Sequence, residues 1–250
     1  MDYRKLADDL SAALELKMPP VAVAFCDEIP AGVAPFAGAV PAGCAFWEKA
    51  AAGAFATSAK DHELCAIGVQ THNLAGASPS HPDELREALQ VMAGLDYVRP
   101  VEIAAIPTAR RSASHVVYAP LADAPTAPQV VLLFADARRS LAVAEAAARV
   151  DHTMAPALGR PACAVVPQVL NSGAAALSLG CCGARAYLDA LSDDVALWAL
   201  PAAKLEAYCK EIKTLASANK TLTAFHERRR EDVEAGKRPT VKQSLARMQS

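Results

Sequence analysis

The stretch Cys163-Ala-Val-Val-Pro-Gln-Val-Leu-Asn-Ser-Gly173-Ala-Ala-Ala-Leu-Ser178-Leu-Gly-Cys181-Cys182-Gly183 follows the plan of an earlier one. That earlier stretch runs Cys44-Ala-Phe-Trp47, then Gly53-Ala-Phe-Ala-Thr-Ser58, then Cys65-Ala-Ile-Gly68. Each opens on Cys-Ala, reaches Gly-Ala-x-Ala-x-Ser about ten residues on, and closes on a second Cys beside a Gly. The paired cysteines are separated by 20 residues in the first copy and 17 in the second. The cysteines and glycines carry this comparison, because alanine-rich sequence aligns with itself easily. The pattern predicts two similar halves, roughly residues 20–100 and 129–200, related by a pseudo-twofold axis.

Working outward, residues 3–16 read as an amphipathic helix with Leu6, Leu10, Ala13 and Leu14 on one face. Pro19-Pro20 stops it, and residues 21–25 read as a buried strand. A short helix follows Cys44, and residues 54–57 are a strand candidate. Asp61 is read as an N-cap ahead of Cys65, and residues 82–95 as a helix with Pro in its first turn. Residues 101–106, 115–118, 130–134 and 196–200 read as extended, and 140–150 as helix. From Ala202 to about Val233 runs a long helix whose seam (Leu205, Tyr208, Ile212, Leu215, Asn219, Leu222, His226) calls for a partner, either the core or a second subunit. Strands alternating with helices indicate an α/β fold: one compact domain over residues 1–235, two pseudo-twofold halves and a long C-terminal helix. Residues 236–250 read as a mobile basic tail.

The 250 residues suffice to bury a core, with 53% hydrophobic and 21% charged side chains. No apolar run reaches the length of a membrane span. The N-terminal Met-Asp-Tyr-Arg-Lys lacks a secretory signal's apolar stretch, so a cytoplasmic location is expected. Residues 204–250 hold 11 Lys and Arg against 6 Asp and Glu, leaving a net −7 on residues 1–203. No aromatic residues interleave with the basic ones after Phe225, which argues against nucleic-acid binding. In a reducing compartment, seven cysteines point to metal or redox chemistry rather than to disulfides.

Four passages resemble the hallmarks of one family: Leu16-Lys-Met-Pro-Pro-Val-Ala-Val-Ala-Phe25, Ala39-Val-Pro-Ala-Gly-Cys-Ala-Phe-Trp47, Gly159-Arg-Pro-Ala-Cys163 and Leu177-Ser-Leu-Gly-Cys-Cys-Gly-Ala-Arg185. They are similar to the domain of unknown function 169 family, widespread in bacteria and archaea, over roughly residues 3–220. Cys65 and Cys181 also resemble family hallmarks, whereas the doubled Cys182 and the basic tail look peculiar to this chain. The family brings no agreed activity, so the resemblance supports the choice of residues rather than a chemistry.

The leading expectation is a four-iron iron–sulfur cluster on Cys44, Cys65, Cys163 and Cys181. Each cluster iron takes one thiolate, and the ligands are free to come from distant loops. Gly43, Gly180 and Gly183 would let backbone N–H groups approach the inorganic sulfurs. Four ligating cysteines favour electron transfer with a redox partner. Three would leave an iron open to a small-molecule substrate, with His62 and Glu63 as acid/base candidates and Arg160 or Arg185 as anion anchors. Zinc on the same thiolates is a second reading, though no tight Cys knuckle is present. A third is a haem- or ligand-binding protein with packing cysteines, for which His62, His72 and His152 are the available axial histidines. A fourth is thiol chemistry at Cys181-Cys182. Cys26 and Cys209 fall outside the repeat. The chain has no dinucleotide, phosphate-loop, nucleophile-elbow or His-Glu-x-x-His motif. Whether it is an enzyme is left open by the sequence.

Overall fold

The computed structural model describes residues 1–158 and 160–247. Helix α1 (Tyr3–Leu14) starts where the Asp2 carboxylate accepts the Lys5 N–H at 3.0 Å, and it buries Leu6, Leu10 and Leu14. Strand β1 (Val21–Cys26) follows the double proline. A 3-10 turn at Gly43–Ala45 leads into α2 (Phe46–Ala50), then β2 (Phe55–Ser58), α3 (Ala66–His72), α4 (His81–Gly94), α5 (Pro100–Ala104) and β3 (His115–Pro120). The second part holds β4 (Val130–Asp136), α6 (Ala137–Asp151) and β5 (Ala157–Leu158). After a 3-10 turn at Ala162–Ala164 come α7 (Val165–Ser172), β6 (Ala176–Ser178), α8 (Cys182–Tyr187) and β7 (Val195–Pro201). Helices α9 (Leu205–Glu234) and α10 (Val241–Ala246) end the described chain.

The strands form one sheet in the order β2-β3-β1-β4-β7-β6-β5. Read outward from the centre, β1-β3-β2 and β4-β7-β6 are the same path. Val21 pairs with Pro120 and Val130 with Pro201, so the two halves superpose strand for strand. The copies meet in the antiparallel β1–β4 pair, where Ala22 faces Val131. The similarity reaches the edges. Ala56 N–H donates to Ala34 in one half, and Leu177 N–H donates to Pro156 in the other. The register corrects the repeat by one residue: Ser178 corresponds to Thr57 rather than Ser58, because Thr57 pairs with Val116 and Ser178 with Leu197. Since β3 pairs with both β1 and β2, the first unit runs on to Pro120.

Strand alternation sends side chains to two cores. Val21, Val23, Val130, Leu132, Leu197 and Ala199 face α2, α3, α7 and α8. Ala22, Val131, Leu133, Trp198 and Leu200 face α1, α6 and α9. Residues 101–106 do not form the expected strand. Pro100 sits at a helix start, the Glu102 carboxylate accepts the Arg99 N–H at 2.7 Å, and Val101 is exposed. Asp61 does not cap α3; its carboxylate accepts from the Ser58 N–H and hydroxyl instead.

Helix α9 is about 45 Å long at 1.5 Å per residue, so it outruns the core. Leu205, Tyr208, Ile212 and Leu215 are buried, whereas Asn219 is half-buried and Leu222 and His226 are exposed. The segment expected as a mobile tail folds back along the far end of α9 over its described residues. Lys237 and Arg247 pair with Asp232, Arg229 donates to the Pro239 carbonyl, and Thr240 and Gln243 form the capping box of α10. Residues 248–250 lie outside the described residues. No described helix is long and apolar enough to cross a membrane.

Asp151 ties three elements together. Its carboxylate accepts from the Tyr208 hydroxyl at 2.5 Å, the Ala175 N–H at 2.8 Å and Lys204 Nζ at 2.9 Å, with its side chain 2% exposed. Burial opposes its charge, but these hydrogen bonds outweigh burial and hold its carboxyl below the ordinary value. The carboxylate's contribution is therefore complete above the unfolded value of ~3.9. It is lost as pH falls through the lower folded value. Asp151→Ala should lower stability by roughly 2–4 kcal/mol at neutral pH through orphaned donors. In urea melts, the gap between variant and parent should narrow as pH falls below ~3.9; a gap that widens as pH falls would contradict the assignment.

Candidate functional site: a cysteine-lined cavity between the halves

The symmetry repeats at the cysteines. Cys44 lies in the 3-10 turn that opens α2, and Cys163 in the corresponding turn that opens α7. Cys65 and Cys181 each stand at the cap position of a short helix, α3 and α8. All four, with Cys182, line one cavity of about 370 Å³. Gly43, Gly68, Gly183, His72 and Arg160 also line it. Gly180 does not; it packs against Leu191 and the Arg185 guanidinium. Among the described residues, no three His, Cys, Asp or Glu side chains form a group able to hold a single metal ion.

Burial sets the state of the sulfurs. The Cys44 thiol is pushed up to about 12 by burial and then by its neighbours Cys65 and Cys181. Burial pushes Cys163 higher still, with Cys65 adding to the effect and a contact to Thr71 Oγ1 at 3.4 Å opposing it. Cys182 is exposed, and its N–H donates to the Tyr97 hydroxyl at 3.3 Å.

The floor behind the cavity's lining is polar and buried: His72 lines the cavity, and His62 sits behind Gly43. Thr57 donates its hydroxyl hydrogen to the Val116 carbonyl, so it accepts from His62 Nε2–H at 3.1 Å and leaves a lone pair on His62 Nδ1. His72 Nδ1 lies 3.0 Å from the Gly68 carbonyl, which only accepts, so the lone pair is on Nε2. Burial, with His62 and His72 disfavouring each other's charge in the case of His62, lowers both values, that of His72 to about 4. Both rings are therefore neutral at pH 7. His62 Nδ1, His72 Nε2 and the Tyr118 hydroxyl have no protein hydrogen-bond partner. Tyr118 shares a buried cluster with Cys44 and Cys163, and its hydroxyl is pushed up by burial and then by Cys163, Cys44 and Cys65.

The remaining candidates separate. His62 is 1% exposed, not a surface helix start, and Glu63 lines a different depression with Lys60, His81 and Glu84. Arg185 is occupied, donating to the Leu179, Leu191 and Ser192 carbonyls. Arg160 is exposed at the cavity, its guanidinium 4.2 Å over the Tyr97 ring. His152 is exposed at the end of α6. Cys209 is buried in the opposite core, and Cys26 packs near Ile29 and Val33. Sequence reasoning missed Tyr97, Thr71 and Tyr118, and also the apolar side chains Leu89, Met92, Val98 and Ile106 that complete the cavity. The spacing of Leu89 and Met92 on α4 was the one available signal.

These features define a three-layer α/β protein with a thiol-lined cavity at the junction of two like halves. The chain belongs to the domain of unknown function 169 family, described as Uncharacterised ArCR, whose model matches residues 9–211. Neither the curated proteins nor the solved structures yielded a match.

Two glycines make the floor possible. A Cβ on Gly43 would meet His62 Nδ1 at 2.6 Å, and one on Gly68 would meet Cys65 Sγ at 3.0 Å, whereas one on Gly183 makes only an ordinary contact at 3.7 Å. Gly43→Ala should cost roughly 1–3 kcal/mol through overpacking, and Gly183→Ala should lie within about 0.5 kcal/mol of the parent. Thermal melts of both variants check this; equal melting temperatures would show that the His62 contact is not tight.

Proposed function

We propose that this is a cytoplasmic metal-binding protein whose cavity holds a four-iron iron–sulfur cluster on Cys44, Cys65, Cys163 and Cys181. The observation that carries the reading is that these cysteines, from four separate segments of two symmetric halves, line a single cavity. A cluster takes one thiolate per iron, so its ligands stand farther apart than those around one zinc ion. The buried Cys44 and Cys163 thiols, pushed up by burial, are poor partners for thiol exchange, which needs an accessible thiolate. They favour a cation, which replaces the proton and offsets the cost of burying negative charge. Thr71 Oγ1 lies 3.4 Å from Cys163 Sγ, and to donate to a thiolate there it would turn its hydrogen away from the Gly68 carbonyl.

A cluster closed by four thiolates supplies one-electron transfer, with a redox protein as the partner. The protein's own part is to exclude water and fix the sulfurs through two copies of one turn. Seven unbridged cysteines fit a reducing compartment.

Anaerobic purification or reconstitution should yield about four iron and four acid-labile sulfide per chain. Cys→Ser at 44, 65, 163 or 181 should each remove or convert the visible absorption, while Cys26→Ser and Cys209→Ser leave it unchanged. Stoichiometric zinc or haem, or no metal after reconstitution, would refute the proposal.

A further inference from the structure

The cysteines occupy only part of the cavity. The rest is apolar: Leu89 and Met92 of α4, Val98 and Ile106 from the α4–α5 region, and Ile67 of α3. Helix α4 is peculiar in that none of its 14 residues is buried. It lies over this space as a roof, with Leu89 and Met92 half-covered. Among the described residues lining the cavity, Arg160 is the only charged one, and no Asp, Glu or Lys accompanies it. Its guanidinium carbon lies 4.2 Å over the centre of the Tyr97 ring, and no ion pair to Arg160 occurs among the described residues. The exposed Arg160, Leu64 and Cys182 mark the mouth.

We infer that the roof side of this cavity binds a small apolar monocarboxylate, anchored by Arg160. An anion is accommodated in apolar surroundings only when paired, and a guanidinium offers a planar fork that matches a carboxylate's two oxygens. A single cation suits one negative charge, where a doubly charged phosphate calls for more. The contact with Tyr97 restrains the side chain and reduces the freedom lost on binding. The whole cavity, about 370 Å³, is of small-molecule size, and the roof side is the part not lined by the cysteines. The apolar walls supply the attraction for the ligand's apolar body. The assignment stands on the roof and Arg160 alone and does not depend on a metal.

Isothermal titration of metal-free protein with octanoate tests it, with 1-octanol and octylamine as comparison ligands. Octanoate should bind saturably at one site per chain, with 1-octanol and octylamine at least tenfold weaker. Arg160→Ala should weaken octanoate at least tenfold, and Arg160→Lys should recover part of the loss. Because Arg160 is exposed, the variant should keep the parent's circular dichroism. Met92→Asp, which puts a charge into the roof, should abolish binding while Val91→Asp, on an exposed position of the same helix, should not. Absence of saturable binding, equal affinity in Arg160→Ala, or 1-octanol binding as tightly as octanoate would each overturn the inference.

Discussion

The sheet is continuous only because β1 and β4 pair, and they do so over three residues: Val21, Ala22 and Val23 against Leu132, Val131 and Val130. Every other central pairing lies within one half. Gln129 extends the junction, its N–H donating to the Val23 carbonyl and its side-chain oxygen accepting the Phe25 N–H. Side chains at this seam are buried on both faces, so each core is shared between the halves. A change that parts these strands therefore separates Cys44 and Cys65 from Cys163 and Cys181 as well. The cavity is a product of the seam, not of either half.

Burial at the cavity favours the neutral form of Cys44, Cys163, His62, His72 and Tyr118 alike. The protein supplies donor atoms but no fixed negative charge, and its one cation stands at the mouth. The mouth, with Arg160 and the exposed Cys182, has the opposite character. Two chemistries are thus held a short distance apart by one set of loops.

Much of this was legible in the sequence because it depends on local rules. Pro19-Pro20 and the run Val21 to Phe25 mark β1, and the repeated Cys-Ala and Gly-Ala passages mark the duplicated turn and edge strand. What was illegible depends on tertiary context. Residues 101–106 carry strand-forming side chains, but Pro100 and Glu102 nucleate a helix first. His62 and Glu63 are neighbours in sequence and part company because the 3-10 turn at Lys60–His62 points one inward and the other out. Arg160 and Arg185 look alike on paper. Only the fold shows that three carbonyls already claim Arg185. The α9 seam is correct in period, yet periodicity carries no information on where the core beneath it ends.

The long sequence separations around the cavity also set an order of events. Cys44 and Cys65 leave the ribosome well before Cys163 and Cys181, and the strand that brings the second turn into place, β7, comes later still. The early pair belongs to a half whose central strand, β1, has an open edge until β4 arrives. Whatever the cavity receives must therefore be delivered to a nearly finished chain. Until then, the half-built sheet depends on cellular protection of its bare edge.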